Sequence, residues 1–394
     1  MEAALLRQHD EHAQQAQVYI VEAAHGIGSE NADIEDYRCK HSLKAIFLHV
    51  KLREHASPSK GASPMNARIN LSALAVLGLL AAGPANAADT IRVLAPTWPG
   101  FAPVLVASDL GYFKEMGLTV DMKFEDDRAN VMAAFARGDI DVDMRTVGEH
   151  QGRPRDASTP GIIIGTIDKS LGGDGVIADG SIGSVADLKG KTIAAEPNIP
   201  ARLLLQLALK QKGLTLKDLD IKEIATADTV AVFADSSVAA VASYEPFMSQ
   251  ALTAHAARKP KLLLSSKDSD IIIDVITARQ DDLKANPKKY QNFLKGIYKA
   301  VAYYKSNPAD FIKLAAPHYN LSEAEVKDIL DTSLVYTSLE DAAALIGTPA
   351  KPGTLYGIFD TVMALNLENG AADNKLVAAQ QIDPSVMAAV AANK

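Results

Sequence analysis

Thr90-Ile-Arg-Val-Leu94, then Ala95-Pro-Thr-Trp-Pro-Gly100, then a helix-length apolar pattern from Phe101 to Met116, closed by Gly117 and followed by Leu118-Thr-Val-Asp-Met-Lys-Phe124, is the stretch that sets the fold. A β-branched run, a Pro/Gly-marked turn, an amphipathic segment, a glycine stop and a second extended run make one strand–helix–strand unit. The pattern then recurs. A helix is expected at about Arg128 to Arg137, ended by Gly138, with a strand over Ile140 to Thr146. Strands follow at Gly161 to Ile167, Gly175 to Ala178 and Lys191 to Ala195, with a short helix around Val185 to Leu188. From Pro200, Leu203, Leu204, Leu207, Ala208 and Leu209 give a helix one buried face, and Lys210, Lys212 and Gly213 close it. Strands are expected at Ile221 to Ile224, Val238 to Ser243 and Leu262 to Leu264, and helices at Thr229 to Ala234 and Pro246 to His255. A last β-branched run, Asp270-Ile-Ile-Ile-Asp-Val-Ile-Thr277, precedes helices at Asp281 to Lys284, Pro287 to Asn307, Pro308 to Leu314, Ser322 to Thr332 and Lys351 to Asn366. Such alternation predicts an α/β fold, with open sheets flanked by helices and a helix-rich C-terminal third.

The 394 residues, 48% hydrophobic and 22% charged, suffice for two domains. A net charge of −8 argues against a general polyanion binder, so no nucleic-acid partner is expected. One cysteine makes no internal disulfide and rules out CxxC zinc ribbons and iron–sulfur nests. No metal site and no cofactor are expected.

That cysteine, Cys39, and six of the nine histidines fall before residue 65. At Met65 a secretory signal layout begins: Arg68 as the positive n-region, Leu71 to Ala82 as the apolar stretch, and Ala85-Asn-Ala87 as the small-x-small cleavage site. The apolar stretch is too short to cross a membrane, which takes about 20 residues. Residues 1–64 are therefore expected to be an over-extended N-terminus, and 65–87 a signal cleaved after Ala87. His9-Asp-Glu-His12 resembles a metal fragment but lacks a third ligand. Cleavage leaves 307 residues without cysteine and with net charge −7, since eight basic and nine acidic residues precede it. A thiol-free exported chain suits the periplasm.

The mature stretch carries no GxSxG, HExxH, P-loop or GxGxxG signature, and its three histidines, His150, His255 and His318, lie far apart. The carboxylate pairs Asp126-Asp127 and Asp281-Asp282 sit where helices begin, and capping explains them. The loops after strands say more, because ligands collect at the carboxyl ends of strands in open α/β sheets. Pro96-Thr-Trp-Pro-Gly-Phe101 holds the only tryptophan between two prolines, as a ligand wall or as core. In Met144-Arg-Thr-Val-Gly-Glu149, Arg145 holds an anion or faces solvent. Leu171-Gly-Gly-Asp-Gly175 admits a ligand or serves as a hinge. Glu196-Pro-Asn-Ile-Pro-Ala-Arg202 presents the free N–H groups of a helix start. Tyr244-Glu-Pro-Phe247 is a fifth loop of this kind.

Five segments in order, Ile91-Arg-Val-Leu94, Gly111-Tyr-Phe-Lys-Glu-Met-Gly-Leu118, Gly138-Asp-Ile-Asp-Val142, Val185-Ala-Asp-Leu-Lys-Gly-Lys-Thr-Ile193 and Val238-Ala-Ala-Val-Ala-Ser-Tyr-Glu-Pro246, give the chain a resemblance. Over about residues 90–310 it resembles the periplasmic substrate-binding proteins of nitrate/sulfonate/taurine-type ABC importers. The resemblance implies a two-lobed type II periplasmic binding protein fold, with open mixed sheets and ligand trapped between the lobes. Lobe 1 would be 88–175 and 270–394, and lobe 2 176–269, with crossovers near Gly172 to Gly175 and Ser266 to Asp270. It further implies a cleft lined by Thr97, Trp98, Phe101, Arg145, Thr146, Val147 and Gly148 from lobe 1. Lobe 2 would offer Asn198, Ile199, Pro200, Arg202, Tyr244 and Glu245, with Asp174 near the hinge. Sulfonate-binding relatives have few acids in such loops, whereas this chain has Glu196, Asp174 and Glu245. That departure admits an amine-bearing or thiamine-pyrimidine-like solute beside the sulfonate, taurine or nitrate class. The expected protein is not an enzyme but a monomeric receptor in the periplasm, serving a membrane permease and ATPase complex. Pyrimidine synthases of related fold need a cysteine-rich iron motif, which the mature chain lacks. The competing class is a secreted enzyme pairing His150 with Glu149 or Glu245 as acid and base.

Overall fold

In the computed structural model, which describes residues 89–392, the opening unit forms as β1 (Asp89–Ala95), a 3-10 turn at Pro99–Phe101, α1 (Ala102–Asp109) and β2 (Leu118–Phe124). The leader, the signal segment, the His9/His12 pair and Cys39 lie outside the described residues. The expected helix from Phe101 to Met116 is broken. Gly111 adopts φ 74°, which ends α1 and starts a separate four-residue turn of helix at Tyr112–Glu115. α2 (Arg128–Arg137) begins where the Asp127 carboxylate accepts the Ala129 N–H at 2.7 Å, and ends at Gly138 with φ 81°.

The chain continues through β3 (Val142–Thr146), α3 (Val147–Gln151) and β4 (Ile162–Ser170), then β5 (Asp174–Ala178), β6 (Thr192–Ala195), α4 (Pro200–Lys210) and β7 (Asp220–Glu223). β8 (Val238–Tyr244), α5 (Phe247–Ala254), β9 (Lys261–Ser265) and β10 (Ile273–Ala278) follow. The last third contains α6 (Pro287–Ser306), α7 (Pro308–Tyr319), α8 (Glu323–Thr332), β11 (Leu334–Tyr336), α9 (Leu339–Ile346), α10 (Leu355–Glu368) and α11 (Pro384–Ala391). Sequence patterning did not anticipate β11, α9 or α11. It also ended α7 at Leu314, five residues before the observed end.

Two mixed sheets organise these elements. The six-stranded sheet runs β11-β4-β10-β3-β1-β2, and the five-stranded sheet runs β7-β6-β8-β5-β9. Both follow one plan: three parallel strands with the first of them in the middle, next to antiparallel strands. Strands β3, β5, β8 and β10 are buried along their whole length, as expected where helices cover both faces. The chain passes from the first sheet to the second between Ser170 and Asp174, and returns between Ser265 and Ile273.

A single hydroxyl ties the two passages together. Ser266 Oγ accepts the N–H groups of Gly172 (2.8 Å) and Asp174 (3.2 Å) and lies 2.8 Å from Ser170 Oγ. The large apolar core surrounds the first sheet and includes Phe113, Phe293, Phe311 and Phe359. Separate clusters cover the second sheet, among them Leu205 and Leu209 of α4 and, elsewhere, Phe233 and Met248. Leu203 and Tyr244, which come from elements of the second sheet, join the first sheet's core. The two sheets thus meet at the starts of α4 and α5.

Candidate functional site

β1 and β3 are neighbours whose following loops leave the sheet in one direction, and β6 and β8 repeat that arrangement. In open α/β sheets, this switch point is where ligands bind. The loops after all four strands face a shared cavity, only about 20 Å³ in volume, lined by Pro96, Trp98, Phe101, Thr146, Glu149, Asp174, Pro200, Tyr244 and Asp274. A larger groove of about 620 Å³ runs between α5 and α8, but apart from Pro246 it draws on none of these loops. Convergence of strand ends, not size, makes the smaller cavity the candidate site.

Trp98 forms one wall. Its ring is wedged between two glycines: a Cβ on Gly100 would stand 2.1 Å from Trp98 Nε1, and one on Gly173 would stand 2.2 Å from Trp98 Cη2. The indole N–H donates to Asp168 Oδ2 at 3.3 Å, and the ring meets Tyr244 edge-on at 6.5 Å between centroids. Tyr244 donates its hydroxyl to Asp126 Oδ1 at 3.2 Å, while Asp126 also accepts the Thr97 N–H (2.7 Å) and Thr97 hydroxyl (2.9 Å). Asp126 is therefore a cleft residue linking the two sheets, beyond the capping role read for its pair. Asp127 keeps that capping role.

The cavity is acidic. Asp274 on β10 stands opposite Asp168 on β4 in the strand register. Burial pushes the Asp168 carboxyl up to about 7. Asp274 is raised well above the usual carboxylate range by burial and by Asp168. Asp174, bonded to Ser170, is pushed by burial up to about 8. Burial likewise raises Glu196, which accepts from Thr226, and Glu245, which accepts the Ser249 N–H and hydroxyl. Glu149 is held by two donors: Arg145 Nη1 donates to its Oε1 at 2.9 Å, and the Thr146 hydroxyl to its Oε2 at 2.7 Å.

Of the residues expected from sequence, Trp98, Phe101, Thr146, Asp174, Pro200 and Tyr244 line the cavity. Arg145 stays beneath the lining, donating to Glu149 and to the Glu125 carbonyl (2.8 Å). Arg202 turns to Glu223 at 3.0 Å. Val147 and Ile199 pack into the cores. A Cβ on Gly148 would touch Leu203 Cδ1 at 3.0 Å, so this turn serves contact between the sheets. Asn198, at φ 71°, lies against Gly152 and lines a neighbouring space with Arg128 and Glu196. Glu245 caps α5, and Thr97 holds Asp126.

Asp168 and Asp274 escaped the sequence reading. Their signal was a lone carboxylate inside each of two β-branched runs.

His150 does not pair with Glu149. Its ring nitrogens meet Thr277 Oγ1 (3.0 Å) and Gln381 Oε1 (3.2 Å), and burial holds it well below its usual pKa. His255 Nε2 meets the Val230 carbonyl at 2.6 Å, and His318 Nε2 meets Asp109 at 2.7 Å.

Known proteins resemble this chain in sequence and in fold. A Brucella abortus protein described as a candidate binding protein is 24% identical over 282 residues, covering 69% of this chain and 85% of that one. The alkanesulfonate-binding protein of Xanthomonas axonopodis pv. citri, bound to MOPS, superposes with a TM-score of 0.63 at 17% identity, over 75% of this chain and 98% of that one. The periplasmic aliphatic sulphonate binding protein of Escherichia coli gives 0.61 at 19% identity, over 75% and 92%. These likenesses show the α/β fold with two mixed sheets. The family model described as NMT1/THI5 like matches residues 98–311, more than half of the sequence, and the chain belongs to that family.

Proposed function

We propose that this chain is the solute-binding component of an ABC importer, working in the periplasm, and that it closes its two sheets over a small amine-bearing solute for delivery to the permease and ATPase. The likeness to periplasmic binding proteins supports the receptor role. The cavity supports the solute class: Asp174, Asp274 and Glu149 share it with the rings of Trp98, Phe101 and Tyr244, and no lysine or arginine lines it. Carboxylates accept ammonium N–H groups, and an indole face attracts cations. A sulfonate or nitrate would find no free arginine there, since Arg145 is held by Glu149 and Arg202 by Glu223. Among the described residues no group of three or more His, Cys, Asp or Glu is placed to hold a metal ion.

Thr97, Asn198, Arg202 and Glu245 act around this cavity, setting the loops. The receptor makes and breaks no bonds; affinity for the closed form drives closure.

A thermal-shift panel of taurine, methanesulfonate, nitrate, benzylamine, agmatine, choline and 4-aminopyrimidine tests the reading. An amine-bearing compound is expected to raise the melting temperature without turnover. A shift confined to methanesulfonate or nitrate would overturn the solute class, and product formation would overturn the receptor role. Mass spectrometry of the N-terminus after osmotic shock should find a chain beginning near Ala88.

A further inference from the structure

We propose that Asp168, Asp274 and Asp174 form a proton-sharing cradle in which the ammonium of the captured solute takes the place of a proton, so that binding is an exchange of proton for cation. This rests on the amine-bearing reading above and adds to it the charge balance of the site. Asp168 and Asp274 face each other across neighbouring antiparallel strands, and both are buried. Two carboxylates so placed, away from water, cannot both be ionised, and the pair holds at least one proton between them.

The partners agree. Trp98 Nε1–H occupies Asp168 Oδ2, while Asp168 Oδ1 is buried with no donor in reach unless the facing carboxyl carries a proton. Tyr319 and Tyr336 lie beside Asp168, Ser170 bonds Asp174, and Glu149 and Glu245 add negative potential at Asp174. Arg145 is bonded to Glu149 at 2.9 Å, with Asp143 3.9 Å away. Among the described residues no lysine, arginine or histidine forms an ion pair with the cradle, and protons compensate it when it is empty.

An aliphatic amine arrives as R–NH3+ at neutral pH. As it enters, the O–H bond of the shared acid breaks, the proton leaves to water, and the ammonium donates to the resulting carboxylates. Charge is conserved and no other reactant is needed.

Trp98 is the only tryptophan in the chain and touches this dyad, so its fluorescence reports on it. Titrating the purified protein from pH 5 to 9 should give an emission transition with a midpoint near pH 7, following Asp168. Asp168→Asn should abolish the transition or move it by more than one pH unit. Infrared spectra of the unmodified protein should show a protonated-carboxyl band that weakens between pH 6 and pH 9 without vanishing, because the dyad keeps its shared proton, a measurement that needs no variant. Saturating benzylamine or agmatine should lower the fluorescence midpoint by at least one unit, and calorimetry in buffers of different ionisation enthalpy should show about one proton released per amine bound.

A flat titration with no carboxyl band would overturn the cradle. So would a transition unchanged in Asp168→Asn. An amine that binds without moving the midpoint and without releasing a proton would overturn the exchange and leave the solute class standing. A normal titration with no amine bound in the thermal-shift panel would instead sink the solute class, and the exchange with it.

Discussion

Trp98 sits on a loop, as its two flanking prolines suggested, yet it is only 4% exposed and belongs to the large core. It is wall and core together. Trp98→Ala should therefore lose about 3–5 kcal/mol of stability as an aromatic-to-alanine change in a packed site, as well as solute affinity. Urea unfolding of the empty protein measures the first, and an unchanged midpoint would mean the ring is not packed as described. Asp174 makes a prediction about pH. Its carboxyl, raised by burial to about 8 in the fold, has an unfolded value near 3.8. The stability linked to it is complete below about pH 4 and is lost as pH rises through about 8. Asp174→Asn, which cannot ionise, should melt with the parent at pH 4 and several degrees above it at pH 9, on the order of 5 °C. Equal melting at both values would refute the buried-acid assignment. Sequence showed Trp98 because it was unique and oddly placed. It hid Asp168 and Asp274, because a charged residue in a strand reads as the solvent face until register brings two strands together.

At the scale of elements, most strands and helices of the first two-thirds were legible, because apolar periodicity and Gly or Pro punctuation agree there. α2 and β2 formed over the expected residues, with Asp127 and Gly138 as the caps. β11 was not legible: three residues carry no period, and only pairing of Leu334 with Ser170 makes them a strand. α9 was missed although Ser338-Leu-Glu-Asp341 is a capping box, with the Ser338 hydroxyl 2.6 Å from Asp341 Oδ2. The glycine-rich loop at 171–175, whose sequence suits a ligand approach or a hinge, is held by Ser266. Ser266 collects two backbone N–H groups and a hydroxyl in a buried spot. Ser266→Ala should leave those donors unsatisfied and cost about 1–3 kcal/mol. Hydrogen exchange should quicken at Gly172 and Asp174. Unchanged protection at both would show that the tie does not hold the passages.

At the scale of the whole molecule, the repeated sheet plan sets the carboxyl ends of β1, β3, β6 and β8 around one cavity. The last helices then reach across. α10 touches α3, where Asn366 Nδ2 donates to the Gly148 carbonyl at 2.9 Å. It also touches α4, where Gln206 Nε2 donates to the Leu365 carbonyl at 3.3 Å and Gln206 Oε1 accepts from Asn369 Nδ2 at 2.7 Å. Lys210 and Glu368 add a 3.2 Å ion pair, which is exposed and worth little. Under the proposed closure the contacts with α4 exist only when the sheets are together, so they bias the empty protein toward the closed form. Gln206 carries two of them far from the cavity. Gln206→Ala should shift the empty protein toward opening, seen as a larger radius of gyration in solution scattering, while the liganded form keeps its size. Since the solute must then also close the molecule, affinity should fall by up to about tenfold, roughly 1.4 kcal/mol. If the empty variant and the empty parent scatter alike, α10 does not hold the two sheets together, and closure depends on the solute and the crossover tie alone.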